Sequence, residues 1–221
     1  MPTVSGRRSG TLKPTRSLLD AVSHADHPGD DWKPPPGRRR FHAITTGLSF
    51  IEQAQGAVSH LESGMWDDAV RPDSTRPPGL GALLQRAGRT VEYLDGSIRG
   101  RDGTGKDLDE VLSDVRKWRD RLHAAVRDHP AASVAILRRE VKEGLPRLEE
   151  ELRDDDMLRW MIEDAPEELD LVLYVREGVV GALQALEGLG QDVAEDRRRL
   201  AAFDAALRAR GAEIPREPAR P

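Results

Sequence analysis

Apolar residues at Leu80, Leu84, Ala87, Val91, Leu94 and Ile98 recur at alternating steps of four and three. An α-helix returns side chains to one face at that spacing, so the stretch predicts a helix with a heptad seam. Phe41, Ile44, Leu48, Ile51, Ala54, Val58 and Leu61 form a similar stripe, as do Leu108, Val111, Val115, Trp118, Leu122 and Ala125. No segment alternates with period two, and β-branched runs bounded by hairpin turns are missing. The expected fold is therefore all-α, a bundle of six or seven helices with heptad-like seams.

Glycine and proline divide the stripes. Gly64 and the Pro-rich segment 71–78 end the first helix, Gly100–Gly105 follows the second, and His129-Pro130 ends the third. Pro130 suits the first turn of a fourth helix carrying Val134, Leu137 and Val141. Gly144 and Pro146 are expected to break it, because proline removes a backbone donor and clashes with the preceding turn. The chain restarts through Leu148, Leu152, Leu158, Met161 and Ile162, around Asp154-Asp155-Asp156. Pro166 opens the most apolar helix, with Leu169, Val172, Val179, Leu183 and Leu186 on one face. Val193, Leu200, Phe203 and Leu207 mark the last helix, which ends at Gly211. Residues 38–211 thus read as one helical-bundle domain and 212–221 as a flexible tail. Residues 1–37, with six prolines, read as an arm unable to bury enough apolar surface to offset its ordering entropy.

The 221 residues contain no cysteine, which excludes disulfides, thiolate nucleophiles and Cys-ligated metals. No apolar run reaches the ~20 residues of a membrane helix. The N-terminal stretch lacks the apolar segment of a secretory signal, so a cytoplasmic location is expected and a membrane is not. Only five of 34 basic residues are Lys, and Asn is absent, the composition of a GC-rich, bacterial genome. Residues 1–40 carry a net charge of +4, leaving −9 on the rest. An acidic body argues against wrapping nucleic acid, which requires a basic face.

Chemistry-bearing patterns are sparse. Gly100–Asp107 has the glycine and lysine spacing of a phosphate-binding loop, but Asp107 stands where Ser or Thr is needed, and a helix precedes it. The six histidines show no i, i+4 pairing; His60 and His123 read as seam residues. Asp154–Asp156 reads as a solvated helix start favoured by the dipole. The sharpest pattern is Glu140-x-x-Glu143 followed by Glu167-x-x-Asp170, in which spacing of three puts each carboxylate pair on one helix face. Together with Glu168–Val175, these motifs resemble the signature of the all-α nucleoside triphosphate pyrophosphatases, the MazG-like group. The resemblance implies that Glu140, Glu143, Glu167 and Asp170 would hold Mg²⁺ for water attack on a nucleoside triphosphate. It covers residues 140–175 only, in a chain rich in acids. The prevailing reading is a solvated charged face.

Arg38-Arg39-Arg40 and, in the arm, Leu18, Leu19 and Val22 are candidate contacts for an acidic or apolar partner. Arg197-Arg198-Arg199 lies among acids and reads as paired surface charge. The functional expectation is a non-enzymatic helical adapter or structural partner without a cofactor. It would bind proteins through helix faces and the arm, and an uncovered Leu80–Ile98 seam would pair in a homodimer. The alternatives are the Mg²⁺-dependent pyrophosphatase and a nucleic-acid accessory protein using the basic arm.

Overall fold

The computed structural model describes residues 39–64, 79–99 and 106–214. Among them every regular element is an α-helix: α1 (Arg39–Ser63), α2 (Leu80–Arg99), α3 (Lys106–Asp128), α4 (Pro130–Glu151), α5 (Asp155–Glu163), α6 (Pro166–Gly188) and α7 (Ala194–Ala209). Residues 1–38, which hold the whole of the expected arm, and 215–221 lie outside the described residues. So do the links 65–78 and 100–105, the second of which contains most of the glycine-rich loop.

Helix α2 stands at the centre. It packs against α1 and α3 on one side and α6 on the other, and α6 in turn packs against α4, α5 and α7. This position explains its burial: every residue from Gly81 to Ala87 is buried, well beyond the heptad seam. Leu80, Leu84, Ala87 and Leu94 lie in the core, so the seam expected to pair in a homodimer is closed within the chain. One continuous cluster of apolar side chains runs from Ala43 to Ala212.

Three expectations are corrected. Helix α4 runs unbroken through Gly144 and Pro146. Gly144 lets α4 sit close on α6, where a Cβ would lie 2.5 Å from Val179 Cγ2. Pro146 and Lys142 are exposed, so water can solvate the Lys142 carbonyl that loses its donor. The tail begins later than 212, because Ala212 is buried and Ile214 packs against the core.

The third correction concerns α1, which is rotated relative to its expected stripe. Ala43, Phe50, Ala54, Val58 and Leu61 are buried, whereas Phe41 and Leu48 are 58% and 53% exposed. Gly47 accounts for the rotation: a Cβ there would lie 2.4 Å from Val111 Cγ1, so α3 approaches the Ala43–Gly47–Phe50 face directly. Small residues were traded for closeness, and the bulkier side chains turn outward.

Helix ends follow local chemistry. Asp154 caps α5, its carboxylate accepting from Met157 N at 2.9 Å, as expected of a solvated acidic start. After α6 and α7, Gly190 (φ 73°) and Gly211 (φ 87°) take the left-handed conformation. Gln191 N then donates to Leu186 O and Ala212 N to Leu207 O, the bonds of a Schellman stop.

Candidate interaction surfaces and the fate of the acidic motifs

Helix α2 begins with a deficiency. Gly79 stands at its cap position, donating no side chain, while Leu83 N already bonds Gly79 O at 2.9 Å. The missing acceptor comes from α4: Glu140 takes hydrogen bonds from Leu80 N (2.5 Å) and Gly81 N (2.8 Å). Glycine on both sides of Leu80 makes room for it, since a Cβ at Gly79 would lie 2.7 Å from Oε1 and one at Gly81 2.8 Å from Oε2. Glu140 is thus a helix cap supplied from another helix.

That role removes Glu140 from the acidic quartet. Glu143, on the same helix, is exposed and paired with Arg139 at 2.9 Å. Glu167 and Asp170 are exposed in the first turns of α6. Among the described residues no group of three or more His, Asp or Glu side chains is arranged to hold a metal ion. The four acids expected under the pyrophosphatase resemblance are therefore not gathered into a Mg²⁺ site.

Burial pushes the Glu140 carboxyl up to about 7, against the hydrogen bonds from Gly81 and Leu80, with Glu143 adding to the rise. An ordinary glutamate titrates near 4.5, so the folded chain holds an extra proton between these values. The corresponding stability is present in full below about 4.5 and is lost as pH rises through about 7. Glu140→Gln does not titrate. The margin in melting temperature of wild type over Glu140→Gln is expected to shrink from about pH 5 to pH 7 and then level off. A margin that widened with rising pH would contradict this assignment. Glu140→Ala orphans two backbone donors and is expected to cost roughly 1–3 kcal/mol in urea unfolding.

The basic residues are mostly tied to structure. Arg197 bonds Glu187 at 3.0 and 3.1 Å, and Arg199 bonds Glu149 at 2.7 and 2.8 Å. Arg198 pairs within its own helix, with Glu195. The triplet thus fastens α7 to α6 and α4 rather than decorating one helix. An open groove of about 540 Å³ is lined by Arg138, Arg139, Lys142 and Glu143. Arg138 is engaged by Asp192 O and Asp196, and Arg139 by Glu143.

Two features escaped the sequence reading. His42, on α1, is buried, and its Nδ1 lies 2.7 Å from the Tyr93 hydroxyl on α2. Arg176 on α6 and Asp204 on α7, 2% and 7% exposed, form a two-pronged ion pair with both N···O distances 2.6 Å. By contrast His60 is exposed rather than on a seam. His123, half-buried, is held below the usual imidazole range by burial and by Arg119 and Arg127.

Apolar exposure is concentrated in two places. On α1, Phe41 and Leu48 project outward beside the half-buried Ile44 and Ile51. At the α5–α6 end, Met157, Trp160 and Leu171 are 48%, 46% and 52% exposed. Arg38, Leu18, Leu19 and Val22 lie outside the described residues, and Arg39 and Arg40 enter only as the first backbone turn of α1. No described helix is long and apolar enough to cross a membrane. Neither a protein-family model, nor a curated protein, nor a solved structure matches this chain.

Proposed function

We propose that this chain is a non-enzymatic helical interaction module, an adapter or structural partner that binds other proteins through exposed helix faces. The observation that carries the reading is the outward pair Phe41 and Leu48 on α1, flanked by the half-buried Ile44 and Ile51. Side chains of that size are normally turned into a core, and here the helix turns them out while burying alanine and glycine. A run of apolar side chains along one shoulder of a helix suits a helix-in-groove or helix-on-helix contact. The acids proposed for metal-dependent hydrolysis are spent on a helix cap, an ion pair and solvent, which favours binding over that chemistry.

The test compares wild type with Phe41→Ser/Leu48→Glu, both expressed in the native host and crosslinked in the cell. Because both positions are exposed, the variant is expected to keep the wild-type melting temperature. Wild type is expected to retain a stoichiometric protein partner, or a second copy of itself, that the variant loses. Identical crosslinking patterns for the two chains would overturn the role of this face.

A further inference from the structure

The second apolar surface differs from the first in its electrostatic setting. Met157 and Trp160 lie on α5 one turn apart, and Leu171 projects from α6, the helix against which α5 packs. Between Asp154 and Asp170 the sequence places eight acids against the single base Arg159, and all eight are exposed. Two of them have local duties, Asp154 as the α5 cap and Asp155 in a pair with Arg210. The remaining six share this stretch of α5 and α6 with three exposed large apolar side chains. Water alone is a poor solvent for Trp and Leu. A dense carboxylate rim also repels every acidic surface, including the rest of this chain's own acidic body.

The complementary object is a basic segment with an apolar face, and this chain carries one. Its first forty residues hold eight Lys and Arg against four Asp. Within them Lys13 and Arg16, against the one acid Asp20, accompany Leu18, Leu19 and Val22, whose spacing puts the three apolar side chains on one side of a helical turn. The Phe41–Leu48 stripe is a poorer seat for that segment: its own helix carries no acid from Phe41 to Ile51, and it directly follows Arg38-Arg39-Arg40. The 16 residues from 23 to 38 can span up to about 54 Å when extended, more than the ~37 Å length of the longest helix.

We propose that the α5–α6 surface is the docking site for the chain's own residues 13–22, with Leu18, Leu19 and Val22 on Met157, Trp160 and Leu171, and Lys13 and Arg16 on the carboxylate rim. The contact deepens the interaction-module reading and rests on it in part. Its test reads α5–α6 rather than α1, so the two can fail separately.

The absence of cysteine makes the test direct. A nitroxide is attached to Ser17→Cys in the full-length, isotope-labelled chain, and amide signals are compared before and after reduction of the label. Expected is selective, reducible broadening of the amides from Met157 to Leu171 and of the Trp160 indole. It is expected to be lost in Leu18→Asp/Leu19→Asp and weakened by salt. Broadening centred on Phe41–Ile51, or none beyond residues adjacent to the label, would overturn the proposal. Broadening seen only when labelled chains are mixed with separate spin-labelled chains would also overturn it, assigning the site to a second copy.

Discussion

Replacing Asp204 with alanine is expected to cost the fold about 3–5 kcal/mol, enough to remove much of the stability of an ordinary domain. The loss comes from what is left behind. Arg176 is buried between α6 and α7, and its guanidinium gives two hydrogen bonds to the Asp204 carboxylate and is 2% exposed. Without the carboxylate, a charge that cannot deprotonate stays in a site that water barely reaches. Arg208, 3.9 Å from Asp204 and mostly exposed, cannot substitute, since it is a second cation. Replacing both partners with apolar side chains of similar length, Arg176→Met with Asp204→Leu, removes the desolvated charges together. It is expected to recover most of the loss. Urea unfolding of wild type, Asp204→Ala and the double variant checks this. A double variant no more stable than Asp204→Ala would show that the pair is needed for more than mutual neutralisation. Added salt is expected to change the Asp204→Ala deficit little, because buried pairs are weakly screened.

The ion pair also shows where sequence patterns stop. Val172, Arg176, Val179, Leu183 and Leu186 step 4-3-4-3, and Leu200, Asp204 and Leu207 step 4-3. Each charged residue therefore occupies an apolar position of its own helix, and the two have opposite signs. Read as a gap in the stripe, Arg176 passes unnoticed. Read as a charge on a seam that needs a counter-charge on a neighbouring seam, it predicts the pair. The seam of α2 was legible because its spacing is regular and a central helix buries whatever it carries. That of α1 was misleading, since a hydrophobic count weighs Phe41 and Leu48 above Ala43 and Gly47. Close packing between helices instead selects the smaller pair. Pro146 misled for a related reason: its local cost is real, but exposure of the vacated carbonyl and the fit of Gly144 against Val179 keep α4 intact. The acidic motifs were visible as residues and invisible as roles. Glu140 belongs to a glycine-flanked helix start sixty residues earlier, and no local spacing links the two.

The same preference for closeness sets the second large expected effect, at the crossing of α2 and α6. A Cβ on Gly181 would lie 2.0 Å from the backbone oxygen of Gly81, and one on Gly81 would lie 2.3 Å from that of Gly178. Both obstacles are backbone, so no rotamer change relieves them, and the two central helices must separate. In an exposed helix interior, glycine to alanine normally stabilises by ~1 kcal/mol. Gly88, exposed on α2 with nothing within 4 Å of its would-be Cβ, is expected to behave that way. Gly181→Ala is expected to reverse the sign and cost about 1–3 kcal/mol, and Gly181→Leu to abolish cooperative folding. Separating the helices also disturbs the start of α2, because the Gly81 N–H is one of the two held by Glu140. The deficits of Gly181→Ala and Glu140→Ala are therefore expected to be less than additive, each variant having already loosened what the other removes. Thermal and urea unfolding of Gly88→Ala, Gly181→Ala, Glu140→Ala and the Gly181→Ala/Glu140→Ala pair measure both the reversal and the coupling. Equal gains at Gly88 and Gly181 would mean that the helices do not meet at their glycines. Strict additivity of the pair would separate the crossing from the cap.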